Sequence, residues 1–129
     1  MLTIGTKGLK EELVSISNSA KRFGSGDLEV YGTPAMIALM EATARESVQP
    51  FLEEGMSTVG VHISADHSAP SPLGMKVVCN SELIEIDRKM LTFQITVADE
   101  KGEIGRATHK RFIIQKEAFL EKAESRKSL

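Results

Sequence analysis

One stretch narrows the possible folds more than any other: Tyr31 to Gln49, YGTPAMIALMEATARESVQ. Thr33 suits the N-cap of a helix, where its hydroxyl accepts from the free N–H groups of the first turn. Pro34 then fits the first helical position, where a missing N–H costs nothing. Ala35 to Met40 are apolar without a break, so the opening turns have no wet face and require burial nearly all round. Such a helix cannot lie on a surface. A larger element must wrap it.

Glu41 interrupts the run. At about 100° per residue it falls between the direction of Ile37, Ala44 and Val48 and that of Arg45, on the flank of the core face. A carboxylate there needs a partner or a shifted pKa, because burying an unpaired charge is costly. Two readings stand. One is an i, i+4 ion pair with Arg45 at the core edge; the other is a site carboxylate facing a pocket.

The rest of the chain supplies the wrapping element. Leu9 to Ser17 alternates in part and suits a first strand, followed by a short polar connection over Asn18 to Phe23. Gly24-Ser25-Gly26-Asp27 is a flexible turn beside the helix start, to be read as a lid or as a plain connector. Pro50 and Glu53-Glu54-Gly55 end the helix. Ser57 to His67 alternates again, with Val59, Val61, Ile63 and Ala65 on one face and His67 continuing their parity. The Pro-containing stretch Ser68 to Gly74 cannot continue a ladder, because proline lacks the donor. Met75–Asp87, Met90–Asp99 and Ile104–Gln115 are three more strands, and the tight polar turns between them predict an antiparallel meander. A charged helical tail starts at Glu117. One strand, one long apolar helix and then strands make an α+β chain, a curved antiparallel sheet wrapped around one central helix, which is the hotdog architecture. Its sheet edges and open face are usually covered by a second copy, so a homodimer is expected, with a tetramer as the larger alternative.

Composition removes several function classes. The 129 residues suit a single domain spanning 1–129. A net charge of −2 gives no pull toward nucleic acid or a membrane surface. One cysteine, Cys79, excludes an intrachain disulfide and a cysteine-based zinc site and suits a reducing compartment. No run is long enough for a membrane span and no apolar leader is seen, so the expected location is the cytoplasm. No metal site is expected: His62 and His67 are five residues apart and face opposite sides of a strand, and His109 lies on another strand. The GxSxG, P-loop and GxGxxG patterns are absent.

A hydroxyl (Thr33), a carboxylate (Glu41) and an imidazole (His67) remain, a set suited to acyl chemistry. The N-terminus of the helix adds N–H groups and partial positive charge for an oxyanion. Spacing alone does not make them converge, and each has a plain alternative: Thr33 as a cap, His67 as the end of a strand. His109-Lys110-Arg111 is a small basic cluster, read as a solvated strand face or as a holder for a carrier phosphate such as that of coenzyme A.

The chain resembles the hotdog thioesterases of the fluoroacetyl-CoA thioesterase type. The resemblance runs over TPAMIALMEATA in the helix, VGVHISADHSAPSPLGMKV in the strand and turn, and IGRATHKRFII on the last strand. It implies hydrolysis of an acyl-CoA to free acid and CoA, without a cofactor, at a site near a dimer interface. Thr33, Glu41 and His67 take the places of the family's catalytic residues, and Gly60 that of a glycine whose backbone lies near the thioester. Tyr31, His109 and Arg111 are the further substrate-binding candidates. The fluoroacetyl-specific enzyme carries lid phenylalanines before its threonine, whereas here that segment is GSGDLEVYG with Tyr31 as its one aromatic residue. A broader or different short acyl group is therefore the expectation. The rival from another class is a non-catalytic acyl-CoA or small-ligand binding module on the same fold; a hotdog dehydratase would need its own His and acid arrangement.

Overall fold

The apolar run forms one helix, α2 (Thr33–Val48), in the computed structural model, which describes residues 1–128. Its cap differs from the expectation. Gly32 is the N-cap, with no side-chain hydrogen bond, so Thr33 opens the helix and Pro34 follows it. The Gly32 carbonyl accepts from the Met36 N–H at 3.0 Å. The Thr33 hydroxyl is thereby released from capping.

Five strands surround this helix: β1 (Lys7–Leu13), β2 (Met56–His67), β3 (Lys76–Asp87), β4 (Met90–Asp99) and β5 (Gly102–Gln115). All pairings are antiparallel, in the order β1-β3-β4-β5-β2. β3, β4 and β5 are the expected meander. β2 does not join β3 beside it in sequence; it pairs with β5 and becomes the far edge. α2 touches all five strands, from one edge of the sheet to the other, so the sheet must curve around it. Bulges in β2, β3 and β5 assist, since each bends its strand and adds twist.

The core is what the helix pattern demands. Met36, Met40, Ala44 and Val48 lie against Leu83, Leu91, Phe93, Ile95 and Val97 of the sheet, all without exposed surface. Burial is not complete all round, however. Ala38 is exposed, and Ile37, Glu41 and Ala42 are half-buried, which leaves one bare flank on α2. Where α2 crosses β1, Gly8 is required: a Cβ there would lie 2.8 Å from the Thr43 carbonyl.

Three local expectations are corrected. The first strand ends at Leu13 because Asn18 accepts from the Ser15 N–H at 2.8 Å, turning the chain into a short 3₁₀ segment, Ile16–Asn18. The connection after it contains a four-residue helix, α1 (Ala20–Phe23), capped by Ser19 and closed by Gly24 at φ 72°. The third concerns β2. Its pairing skips from Gly60↔Arg111 to His62↔Lys110, leaving Val61 as an unpaired bulge. The single alternation therefore breaks: Thr58 and Gly60 face inward before the bulge, and Ile63, Ala65 and His67 after it. Val59 and Val61 do not share the face of His67, and Val61 is 52% exposed. The tail forms α3 (Lys116–Ser125), exposed along its length.

Candidate active site

The bulge decides which residues meet. Gly60 and His67 are seven apart, an odd separation that in a regular strand puts them on opposite faces. The extra residue between them brings both to the inner face, toward α2. His67 lies opposite Gly105, and Gly60 opposite Arg111.

At the His67 end, the Thr33 hydroxyl and His67 Nδ1 are 2.7 Å apart. Nε2 of the same ring is buried with no hydrogen-bond partner among the described residues. Burial lowers the pKa of His67, with the backbone of Ala69 acting in the opposite direction, so the ring is neutral at pH 7. An open cleft of about 310 Å³ adjoins the pair, walled by Ala20, Ser25, Val30, Ala69 and Pro70. None of these walls carries a charge.

Glu41 is not part of this pair. It lies eight residues along α2 from Thr33, about 12 Å at the helical rise. Its Oε2 faces the bare backbone of Gly60, where an added Cβ would stand 2.7 Å away. Of the two readings, the ion pair with Arg45 does not form; Arg45 approaches Glu46 instead, at 3.5 Å. The cation nearest Glu41 is Arg111, with Nη1 3.8 Å from Oε2. Glu41 keeps 43% of its side chain exposed while that of Arg111 keeps 6%.

His109 and Arg111 do not form a solvated cluster with Lys110. The alternation of β5 turns both inward and Lys110 outward, and they are 1% and 5% exposed. Arg111 is held at several points, with Nε donating to the Thr58 hydroxyl at 2.7 Å and Nη2 to the Thr58 carbonyl at 2.9 Å. Nη1 is 3.2 Å from His109 Nε2. A guanidinium only donates, so Nε2 accepts and Nδ1 carries the proton, which goes to the His62 carbonyl at 2.8 Å. That tautomer is neutral. Burial lowers the pKa of His109, and Arg111 lowers it further. The pair is thus buried beside Glu41.

Tyr31 is also buried, at 1% exposure. Its phenol donates to Glu12 at 2.5 Å, and its ring stands nearly perpendicular to that of His67, centroids 6.3 Å apart. Sequence reasoning singled out neither Glu12 nor Thr58. For Thr58 a signal existed: an isolated glycine inside a strand marks a candidate bulge, and a bulge after Gly60 turns Thr58 inward. Glu12 had no comparable mark.

The fold corresponds to a known class. A hot-dog-like protein from Thermanaerovibrio acidaminovorans superimposes with a TM-score of 0.88 at 22% identity, over 95% of this chain and 91% of that one. A solved variant of the fluoroacetyl-CoA-specific thioesterase, in complex with fluoroacetate and CoA, superimposes with a TM-score of 0.87 at 27% identity, over 92% and 99% of the two chains. The architecture is that of a hotdog thioesterase. Residues 14–117 match the fluoroacetyl-CoA-specific thioesterase family. The fluoroacetyl-CoA thioesterase of Streptantibioticus cattleyicolor is 34% identical over 91 residues, 70% of this chain and 66% of that protein. The match thus spans just under two thirds of that relative's length. The chain belongs to this family of thioester hydrolases.

Proposed function

We propose that the chain hydrolyses a small, uncharged acyl-CoA thioester to the free acid and CoA, with Thr33, Glu41 and His67 as its catalytic residues. The observation that carries the reading is the 2.7 Å contact between the Thr33 hydroxyl and a neutral His67 at the mouth of an open cleft. Glu41 either attacks the thioester carbonyl or activates the water that does. His67 takes a proton from the attacking water and passes it to the departing thiolate. Thr33 and the positive end of α2 polarise the carbonyl. Gly60 gives close backbone approach beside Glu41, and Arg111 with His109 holds Glu41 from behind.

A homodimer fits this reading. The Thr33–His67 pair and Glu41 are separated within one chain, and both the flank of α2 and the edge of β2 are uncovered in it. A second copy laid on that flank places the site near an interface. The uncharged walls of the cleft suit a neutral acyl group and provide no cation for a dicarboxylic one. A single free, buried cysteine is in keeping with the cytoplasm.

The test is thiol release from a panel of short, branched, aromatic, dicarboxylic and long acyl-CoA substrates, with Glu41→Gln as the blank. Release confined to neutral acyl groups and abolished in the variant supports the reading. CoA binding without release across the panel overturns it in favour of a binding module.

A further inference from the structure

Tyr31 and Glu12 form a contact chain that joins the two edges of the sheet at the site. Glu12 sits on β1, one edge strand; His67 ends β2, the other. Tyr31 stands between them, immediately before α2. Its backbone N–H donates to the Ser71 carbonyl at 2.9 Å, and the chain around it pairs with Ser19, so its position is fixed on both sides. Its phenol is fixed by Glu12 and its ring meets the His67 imidazole edge-on, at 81°.

The imidazole needs such a contact. The hydrogen bond between Nδ1 and the Thr33 hydroxyl is the one side-chain hydrogen bond among the described residues that opposes a turn of the ring. A half-turn about the bond to the ring would put a carbon where Nδ1 meets the Thr33 hydroxyl, and His67 would lose its partner. An aromatic ring packed edge to face resists that rotation, because the arrangement is favourable only over a narrow range of angles.

We propose that Glu12 and Tyr31 are positioning residues for His67: Glu12 fixes the Tyr31 ring through its phenol, and Tyr31 holds the imidazole so that Nδ1 stays on Thr33. The proposal rests on His67 as the acid and base of the thioesterase. It moves Tyr31 from binding substrate to orienting a neighbour. Burial and the Glu12 carboxylate both push the phenol's pKa far above its ordinary value, so the O–H remains a donor across the working range.

The experiment uses the full chain and reads the ring nitrogens of His67 by ¹⁵N NMR without substrate, alongside kcat and KM on the best acyl-CoA. Wild type should show one tautomer. Tyr31→Phe keeps the ring and loses its anchor, and Glu12→Ala removes the anchor from the other side. Both should mix the His67 tautomers and lower kcat about tenfold with KM nearly unchanged. Glu12→Gln keeps an acceptor and should restore both readouts toward wild type. Unchanged nitrogen shifts and kcat in Tyr31→Phe, with only a lower melting temperature, would reduce the chain to a structural tie and overturn the proposal. Glu12→Gln as impaired as Glu12→Ala would overturn the hydrogen-bonded anchor. Because the NMR needs no turnover, absence of thioesterase activity would count against the proposed function while leaving this test intact.

Discussion

The two ends of the inner face of β2 hold their polar groups in opposite ways. At the Gly60 end the charge is clamped: Arg111 is buried and tied to both the hydroxyl and the carbonyl of Thr58, while His109 is locked in one tautomer. At the His67 end the groups are loosely tied and adjoin a cleft, with one hydrogen bond between Thr33 and His67 and a spare ring nitrogen. A charged group must be held still by its surroundings, since leaving it unpaired is costly. A group that exchanges protons must keep a valence free. The rigid end presents a carboxylate, and the freer end presents an acid–base pair.

Variants at the two ends should therefore fail differently. Glu41→Gln is expected to have the largest effect, a loss of at least ~100-fold in turnover with the melting temperature kept, because its half-exposed carboxylate adds chemistry more than stability. A rate equal to wild type would remove Glu41 from the reaction. Arg111→Met strips the clamp and leaves the polar atoms of Thr58 and His109 without a donor. It should cost about 3 kcal/mol in urea unfolding as well as activity, and a variant as stable as wild type would show the clamp to be dispensable.

Thr33→Val is the contrasting case. Gly32 is the cap, so stability should change by less than ~0.5 kcal/mol while turnover falls about tenfold. A stability loss near ~1 kcal/mol would return Thr33 to a capping role. Gly60→Ala is milder still. Its Cβ would push aside the end of the Glu41 side chain and press lightly on His109 and Arg111, at 3.3 and 3.4 Å, so a rate loss of about fivefold with a small loss of stability is expected. An unchanged rate would mean that Glu41 does not act from beside Gly60.

The smallest effect is on pH. His67 and His109 both have lowered pKa values in the fold, so the unfolded chain binds protons that the folded one refuses. Stability should be full above the ordinary histidine pKa and decline as the pH falls below about 6.5. Urea midpoints at about pH 7.5 and 5.5 would measure the slope. His67→Asn should flatten it, and an unaltered slope would place the acid sensitivity elsewhere.

Much of this is legible in the sequence. The period of α2, the two tight turns of the meander and the isolated Glu41 follow from local pattern, and local pattern dictates them. What escaped was set by partners distant in the chain. Strand β2 looked regular because Val59, Val61 and Ile63 alternate with polar residues; Gly60 hinted at a bulge, and the register against β5 locates it. Arg111 looked like a surface cation until β5 was paired on both sides. Thr33 matched a capping rule and was displaced by one position because Gly32 could take the cap, leaving the hydroxyl for His67. At the candidate site, then, local rules singled out Thr33, Glu41 and His67 and misjudged what surrounds them.

Val61 has a further consequence, for how such chains can change over time. The inner face of β2 is kept in phase by one supernumerary residue, so substitution and change of length are very different events in this strand. Losing Val61, or gaining a second residue beside it, would turn Ile63, Ala65 and His67 toward solvent at a stroke. The same insertion among the exposed residues between Gly24 and Glu29 would disturb no ladder. Among descendants of this chain, the length between Gly60 and His67 should be the more strictly inherited quantity, more so than the identity of the bulged residue.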